Sequence, residues 1–313
     1  MIEDFYTSDD LKMLSCCRLC PRECGTDRLN GAKGNCNADA GTNIASICIH
    51  RGEEPPISGP EGICNIFFSG CNLKCSYCQN YEISRPGSDF RTETLSFGDA
   101  IELIIQILNR GIKAVGFVSP SHVVPQVKAI IKALNDREFY PVTVYNTNGY
   151  DKRETIQELE ACIDVYLPDF KYFNNQTAKD FSDASDYTEI ALRALKEMYY
   201  QKGSVLVKDE FGSAEKGILV RHLVLPGHTG ESKKILRLIA EELSPGINIS
   251  LMSQYHPTKF VDLHPFLGRR LNQDEYMEVV TEMENLGFRN GWIQDLDSFE
   301  NYLPDFRKEH PFE

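Results

Sequence analysis

An α/β fold organised on a parallel sheet, with a small loop-rich module in front of it, is what this sequence predicts. From Gly62 onward, short apolar runs alternate with segments of helical period, six times over. Residues 1–60 have a different texture, rich in Cys, Gly, Asn, Asp and Pro, and end in a Pro-Gly break from Pro55 to Gly62. The 313 residues, 42% hydrophobic and 25% charged, suffice to bury a sizeable core without crosslinks.

Residues 62–69 read as the first strand, and Ile101, Ile104, Ile105 and Leu108 mark the next helix at i, i+3, i+4, i+7. Residues 113–118 form a second strand, followed by a helix on Val127, Ile130, Ile131 and Leu134. The third strand is 141–145 with its helix at 152–161, and the fourth is 163–167 with its helix at 188–200. A polar stretch, 208–216, precedes the fifth strand at 218–225 and a helix at 231–243. A sixth strand, 247–252, and a last helix with Tyr276, Val279, Val280 and Met283 on one face complete the pattern. Right-handed crossovers follow, giving either an incomplete barrel or a doubly wound sheet, between which periodicity does not choose. In both, ligands collect beyond the carboxyl ends of the strands, here the loops GCNLKCSYCQN, SPSH, NTNGYD, PDFKY, PGHTGES and SQYHPT.

Lys plus Arg minus Asp plus Glu is 33 − 46, a net charge of −13, which argues against broad binding to nucleic acid or anionic lipid. The start, MIEDFYTSDD, is acidic and has no basic region followed by an apolar stretch. Apolar runs such as that from Ile101 to Leu108 are interrupted by Glu102 and Gln106 and fall far short of the roughly 20 residues of a membrane helix. A soluble, cytoplasmic protein is the expectation, and in that reducing setting the 11 cysteines are expected to be metal ligands or catalytic groups rather than disulfides. Ten of the 11 precede residue 79; only Cys162 lies beyond, where it is expected to open a buried strand as a packed thiol.

Directly after the first strand, Cys71, Cys75 and Cys78 place three thiols within eight residues. They suit a zinc completed by Cys64 or a distant His, or a [4Fe–4S] cubane with one iron left without a protein ligand. An open iron binds substrate or cofactor. Upstream, Cys17-x2-Cys20-x3-Cys24-x11-Cys36 supplies four thiols, with Cys16 as a spare and Gly31 and Gly34 for tight turns, and fits a structural zinc or a second iron–sulfur centre. Cys48 and Cys64 fall in no motif. There is no phosphate-binding Gly-rich loop, no H-E-x-x-H pair, no nucleophile elbow and no internal repeat.

The C-x3-C-x2-C spacing, with an aromatic before the third Cys and in the loop after the first strand, resembles the radical S-adenosylmethionine (radical SAM) enzymes. Within that superfamily the stretches FFSGCNLKCSYCQNYEIS, VYNTNGYD, DVYLPDFKY, RHLVLPGHTGES and SQYHP are similar to the pyruvate formate-lyase activating enzyme-like branch, with an added N-terminal Cys module. The resemblance implies a partial (β/α)6 TIM-like barrel over residues 61–260, after the Cys module at 1–60 and before a helical extension at 261–313. It implies that Cys71, Cys75 and Cys78 hold three irons of a [4Fe–4S] cluster while S-adenosylmethionine chelates the fourth. The reduced cluster then releases methionine and a 5′-deoxyadenosyl radical that abstracts hydrogen.

By the same resemblance, Tyr77 lies next to the adenine, Asn80 ends the activase-type Cys-x-Asn, Asn148 reaches the ribose or methionine portion, and Arg221 reads the carboxylate. Packing for Tyr77, a turn at Asn148-Gly149 and a structural ion pair for Arg221 are the alternatives. Lys171 contacts the cofactor or pairs with Asp169. The Gly-Gly-Glu type motif that usually follows strand two is absent; Val118-Ser119-Pro120-Ser121-His122 stands there, leaving Ser119, Ser121 and His122 as candidates for the amino group. His222 and His228, beside Pro226-Gly227, lie near the cofactor or serve packing and a turn. The implied partners are an electron donor such as flavodoxin or ferredoxin and a protein substrate from which a glycyl hydrogen is abstracted. A radical maturase or small-molecule enzyme is the second reading, and a non-catalytic zinc or electron-transfer module the third.

Overall fold

A computed structural model describes residues 1–85, 95–296, 304–308 and 311–312; part of the 261–313 extension therefore lies outside the described residues. In chain order the elements are α1 (Ser8–Ser15), β1 (Ile44–His50), α2 (Pro55–Ser58), β2 (Ile63–Phe68), α3 (Tyr81–Ser84), α4 (Phe97–Leu108), β3 (Ala114–Val118) and α5 (Val124–Asn135). There follow β4 (Val142–Thr147), α6 (Arg153–Glu158), β5 (Val165–Pro168), α7 (Asn175–Ser182), α8 (Tyr187–Lys202), β6 (Val207–Lys208) and β7 (Ala214–Leu223). The chain continues through α9 (Thr229–Glu242), β8 (Asn248–Met252), α10 (Gln273–Asn285) and β9 (Gly291–Ile293).

All six expected strands form, as β2, β3, β4, β5, β7 and β8, and they are parallel neighbours in that order. Strand order that never reverses excludes the doubly wound alternative, which needs a switch point. Among the described residues no pairing joins the edge strands β1 and β9, so the barrel is unclosed. The strands β2 and β5 are buried along their whole length, as expected of parallel strands covered on both faces.

Three strands lie outside the sequence pattern. Residues of β1, inside the Cys-rich stretch, pair antiparallel with β2, His50 opposite Ile63. β9, in the stretch read as helical, adds a short parallel edge to β8. The polar stretch at 208–216 holds a small hairpin, β6 on β7. The face of α4 is turned slightly from the expected one: Phe97, Ala100, Ile101, Ile104 and Ile107 are buried, while Ile105 and Leu108 only pack at its side. Phe97 and Ala100 extend the buried stripe to the first turn of the helix. On α10 the expected face, Tyr276, Val279, Val280 and Met283, is the buried one, each side chain contributing roughly 1.5–3 kcal/mol of apolar burial. Cys162 lies in the turn before β5 and is only half-buried, because the strand begins later, at Val165.

The N-terminal module lies over the loops that follow β2, β3 and β4. Arg22 Nε donates to the Asn72 carbonyl (2.9 Å), Arg28 Nη1 to the His122 carbonyl (2.7 Å), and Thr155 Oγ1 to the Leu19 carbonyl (2.9 Å). Gly70, at φ +81°, is where the two parts touch: a Cβ there would stand 2.0 Å from the Cys36 carbonyl oxygen. At the open side, Phe306 and Phe312 pack on Phe67, and Phe312 also packs on His50.

Candidate active site

β2 delivers the Cys loop to the carboxyl-end face of the barrel, where neighbouring segments pin its backbone. Lys74 N donates to Ser182 O (3.1 Å), Ser76 N to Phe181 O (2.7 Å), Thr258 Oγ1 to Ser76 O (2.6 Å) and Arg85 Nη2 to Cys75 O (2.6 Å). Cys71, Cys75 and Cys78 all line one cavity of about 460 Å³ that runs into the barrel, and Tyr77, Asn80, Asn148, Lys171 and Arg221 line it as well. Thus all eight core positions singled out in the sequence face one space.

Each of the three sulfurs has a hydrogen-bonding neighbour. Leu73 N and Asn148 Nδ2 each donate to Cys71 Sγ at 3.4 Å, Ser182 Oγ donates to Cys75 Sγ at 2.9 Å, and Ser84 Oγ lies 3.4 Å from Cys78 Sγ. Burial, and then the neighbouring Cys75, push the Cys71 thiol up to about 12, and the same two causes raise Cys78. Such thiols ionise together only around a cation, and three sulfurs with external donors at one cavity are a donor set suited to a soft iron–sulfur centre. Among the described residues no three His, Cys, Asp or Glu side chains close on a single point, at this loop or in the N-terminal module.

A buried hydroxyl chain stands behind Cys75. Ser182 has one proton and gives it to the sulfur, so Ser182 accepts from Tyr172, and Tyr172 in turn accepts from Tyr77 (2.6 Å). Ser182 lies in no motif and not beside the cysteines, while Tyr172 closes the PDFKY loop, where nothing marks it as a partner of the Cys loop. Tyr77 also packs at 6.0 Å from the Tyr255 ring. Asn148 gives its Nδ2 to Asn72 Oδ1 (2.8 Å) as well as to Cys71, and its Oδ1 accepts from Tyr150 N (2.9 Å), so it braces the Cys loop.

The floor of the cavity is ionic. Arg221 Nε donates to Glu54 Oε1 at 2.8 Å, and its Nη2 contacts both Glu53 and Glu54. The ion-pair alternative for Arg221 is therefore the one this structure displays. Burial favours a neutral Glu53, yet Arg221, His50 and hydrogen bonds from Arg221 and Asn65 outweigh it and lower the carboxyl to about 2. Because β1 ends beside the start of β2, the Glu53–Glu54 connector enters the barrel from its amino-terminal end. The dipeptide Glu53-Glu54 before Pro55-Pro56 is the one sequence signal for it. Lys171 Nζ pairs with Asp169 Oδ2 at 2.5 Å.

Of the three candidates in the segment that stands in place of the Gly-Gly-Glu motif, Ser119 lines the cavity and Ser121 and His122 do not. Ser121 Oγ bonds Thr147 Oγ1 (3.0 Å) and His122 Nε2 bonds the Ser69 carbonyl (3.0 Å). His222 is a satisfied core residue, with Nδ1 2.7 Å from the Phe170 carbonyl and Nε2 2.8 Å from Ser232 Oγ. His228 packs against the rings of Phe181 and Phe266. Cys48 and Cys64 are buried within the β1–β2 pair.

The model of the radical SAM superfamily matches residues 65–239, more than half of the chain. The chain belongs to the radical SAM superfamily. Radical SAM proteins work with S-adenosylmethionine and a [4Fe–4S] cluster, and the matched span begins on β2 and includes the Cys loop and the cavity-lining strands through β7. The chain is 29% identical over 263 residues to the uncharacterized protein MJ0674 of Methanocaldococcus jannaschii, covering 83% of this chain and 71% of that protein. Among solved structures it is similar to a domain of pyruvate-formate lyase-activating enzyme from Bacteroides vulgatus (13% identity, 55% of this chain and 93% of that one, TM-score 0.39). It is also similar to Streptococcus suis SuiB bound to its precursor peptide SuiA (12% identity, 76% of this chain and 51% of that one, TM-score 0.49). No helix among the described residues is long and apolar enough to cross a membrane.

Proposed function

We propose that Cys71, Cys75 and Cys78 hold a [4Fe–4S] cluster whose fourth iron binds S-adenosylmethionine, and that the protein abstracts hydrogen from a polypeptide, in the manner of a glycyl-radical activase. The observation that carries the reading is the single cavity faced by all three thiols, each with its own hydrogen-bonding neighbour, at the mouth of an unclosed barrel. When bound, the cluster supplies the electron that splits the sulfonium into methionine and a 5′-deoxyadenosyl radical, which takes a hydrogen atom and leaves as 5′-deoxyadenosine.

The chain's own residues bind and orient. Leu73 N, Asn148, Ser182 and Ser84 hold the sulfurs in position and offset their negative charge. Asn80 and Ser119, which line the cavity, are the polar contacts to the cofactor in this reading, with Tyr77 packing beside it. Lys171, backed by Asp169, offers a cation to the methionine carboxylate. Arg221 serves that carboxylate only through whatever capacity Glu53 and Glu54 leave it, and otherwise fixes the cavity floor. Phe306 and Phe312 at the open side exclude water, and a substrate loop entering there must displace them.

In this division the Cys-rich part of the 1–60 module lies over the cluster loop, 61–260 performs the chemistry, and Phe306 and Phe312 of the 261–313 extension pack at the open edge. A cytoplasmic setting with flavodoxin or ferredoxin as reductant suits the reading. Anaerobic protein given dithionite and S-adenosylmethionine should form 5′-deoxyadenosine, and electron paramagnetic resonance of a mixture with a glycyl-radical enzyme from the same host should show a glycyl signal. Nucleoside product without that signal would favour the maturase reading, and absence of both would refute the enzymatic one.

A further inference from the structure

We propose that Cys17, Cys20, Cys24 and Cys36 hold a second, tetrathiolate metal centre in the N-terminal module, with the buried Arg28 as its counter-cation. The inference is independent of the substrate of the first site. Its starting point is an electrostatic anomaly. Arg28 is 1% exposed, yet its partners are neutral: Nε and Nη2 donate to the Asp39 carbonyl (3.1 and 2.7 Å) and Nη1 to the His122 carbonyl (2.7 Å). The remaining contact of Nη1 is Cys17 Sγ at 3.8 Å. A guanidinium cannot shed its proton, and burying it without an anion is costly. Among the described residues no Asp or Glu carboxylate pairs with Arg28, so that anion has not been recruited from them. A metal-bound set of thiolates supplies it.

The fold brings the four sulfurs to one neighbourhood. Cys17 N donates to Thr26 O (2.9 Å) and Gly25 N to Cys17 O (3.0 Å), closing 17–26 into a knuckle that carries three of them. The 31–36 turn folds onto it so closely that a Cβ at Gly34 would stand 2.5 Å from Cys24 Sγ. Cys36 follows two residues later, and Cys17, Cys20 and Cys36 are all buried there. All four are free thiols. A soft, four-sulfur donor set takes zinc or an iron–sulfur cluster, and loading draws the sulfurs inward onto it. The module is short of regular structure, with one eight-residue helix before β1, so a metal staple also accounts for its order.

The test uses the full chain with Cys71, Cys75 and Cys78 replaced by Ala, purified anaerobically and assayed for metal and acid-labile sulfide. About one zinc, or about four irons with sulfide, should remain per chain, and adding Cys20→Ser should remove it. A triple variant that carries neither metal overturns the proposal. In the same background Arg28→Met should weaken metal retention against a chelator by about tenfold or more, whereas Arg28→Lys restores most of it. To separate charge from a mere anchor, the cobalt-loaded protein should shift its thiolate-to-metal charge-transfer band in Arg28→Met and return it toward the wild-type position in Arg28→Lys. Loading of the first cluster in otherwise wild-type Arg28→Met protein reports that the barrel has folded. Unchanged retention and an unmoved band would refute the role of Arg28.

Discussion

Replacing Ser182 by Ala isolates what one hydroxyl does to the iron–sulfur chemistry. Ser182 is fully buried and donates to Cys75 Sγ at 2.9 Å, with Tyr172 and Tyr77 fixing its rotamer from behind. Hydrogen bonds to charged groups are worth about 1.5–3 kcal/mol. Only the part that grows when the cluster gains an electron affects its potential, and with the added charge spread over the whole centre that part is about 0.5–1 kcal/mol. At about 59 mV per tenfold for a one-electron couple, the midpoint should fall by roughly 20–45 mV. The sign follows from charge: a donor to sulfur favours the more negative, reduced state. A redox titration followed by electron paramagnetic resonance reads it directly, and Tyr172→Phe should give a smaller shift in the same direction. A midpoint that is unchanged or higher in Ser182→Ala would refute the reasoning.

Arg221→Met strands Glu53 and Glu54 in the cavity floor and should cost about 3–5 kcal/mol of stability, whereas the triple change with Glu53→Gln and Glu54→Gln should recover much of it; chemical denaturation compares the two. Burial, opposed by the hydrogen bond to the Phe170 carbonyl, holds the His222 imidazole down at about 4. The unfolded chain takes up that proton near pH 6.5 and the folded one only near 4, so stability present above pH 6.5 should drain away as pH falls through that window; His222→Gln should flatten the slope in pH-dependent unfolding. Deleting residues 304–313 uncovers Phe67 and His50 at the open side, and should raise substrate-independent 5′-deoxyadenosine formation about two- to fivefold while leaving the circular dichroism of the barrel intact.

The six parallel strands are legible in sequence because each is a short, mainly apolar run followed by a helical stripe, even where buried polar residues such as Asn65, Arg221 and His222 interrupt it. The Cys loop is legible for a different reason: three thiols at one spacing after a strand have few other uses. β1 is harder to read because its apolar residues Ile44, Ile47 and Ile49 do not alternate strictly, a register shift falling after Ile44, and they sit among the Cys and Gly of the module. The link from Ser182 to Cys75, and from Tyr172 to Ser182 and Tyr77, is invisible in one dimension, since it comes from α7 and the loop before it, more than ninety residues from the Cys loop. Arg221 stood out as a site residue, but its partners Glu53 and Glu54 come from the opposite end of the barrel, which no local pattern reveals.

Product analysis of the anaerobic protein with dithionite and S-adenosylmethionine tests the central claim most directly. The wild-type chain should convert S-adenosylmethionine to 5′-deoxyadenosine and methionine in equal amounts, and Cys71→Ala, Cys75→Ala and Cys78→Ala should each abolish it. A wild-type chain that carries a reducible cluster yet forms no 5′-deoxyadenosine would contradict the account.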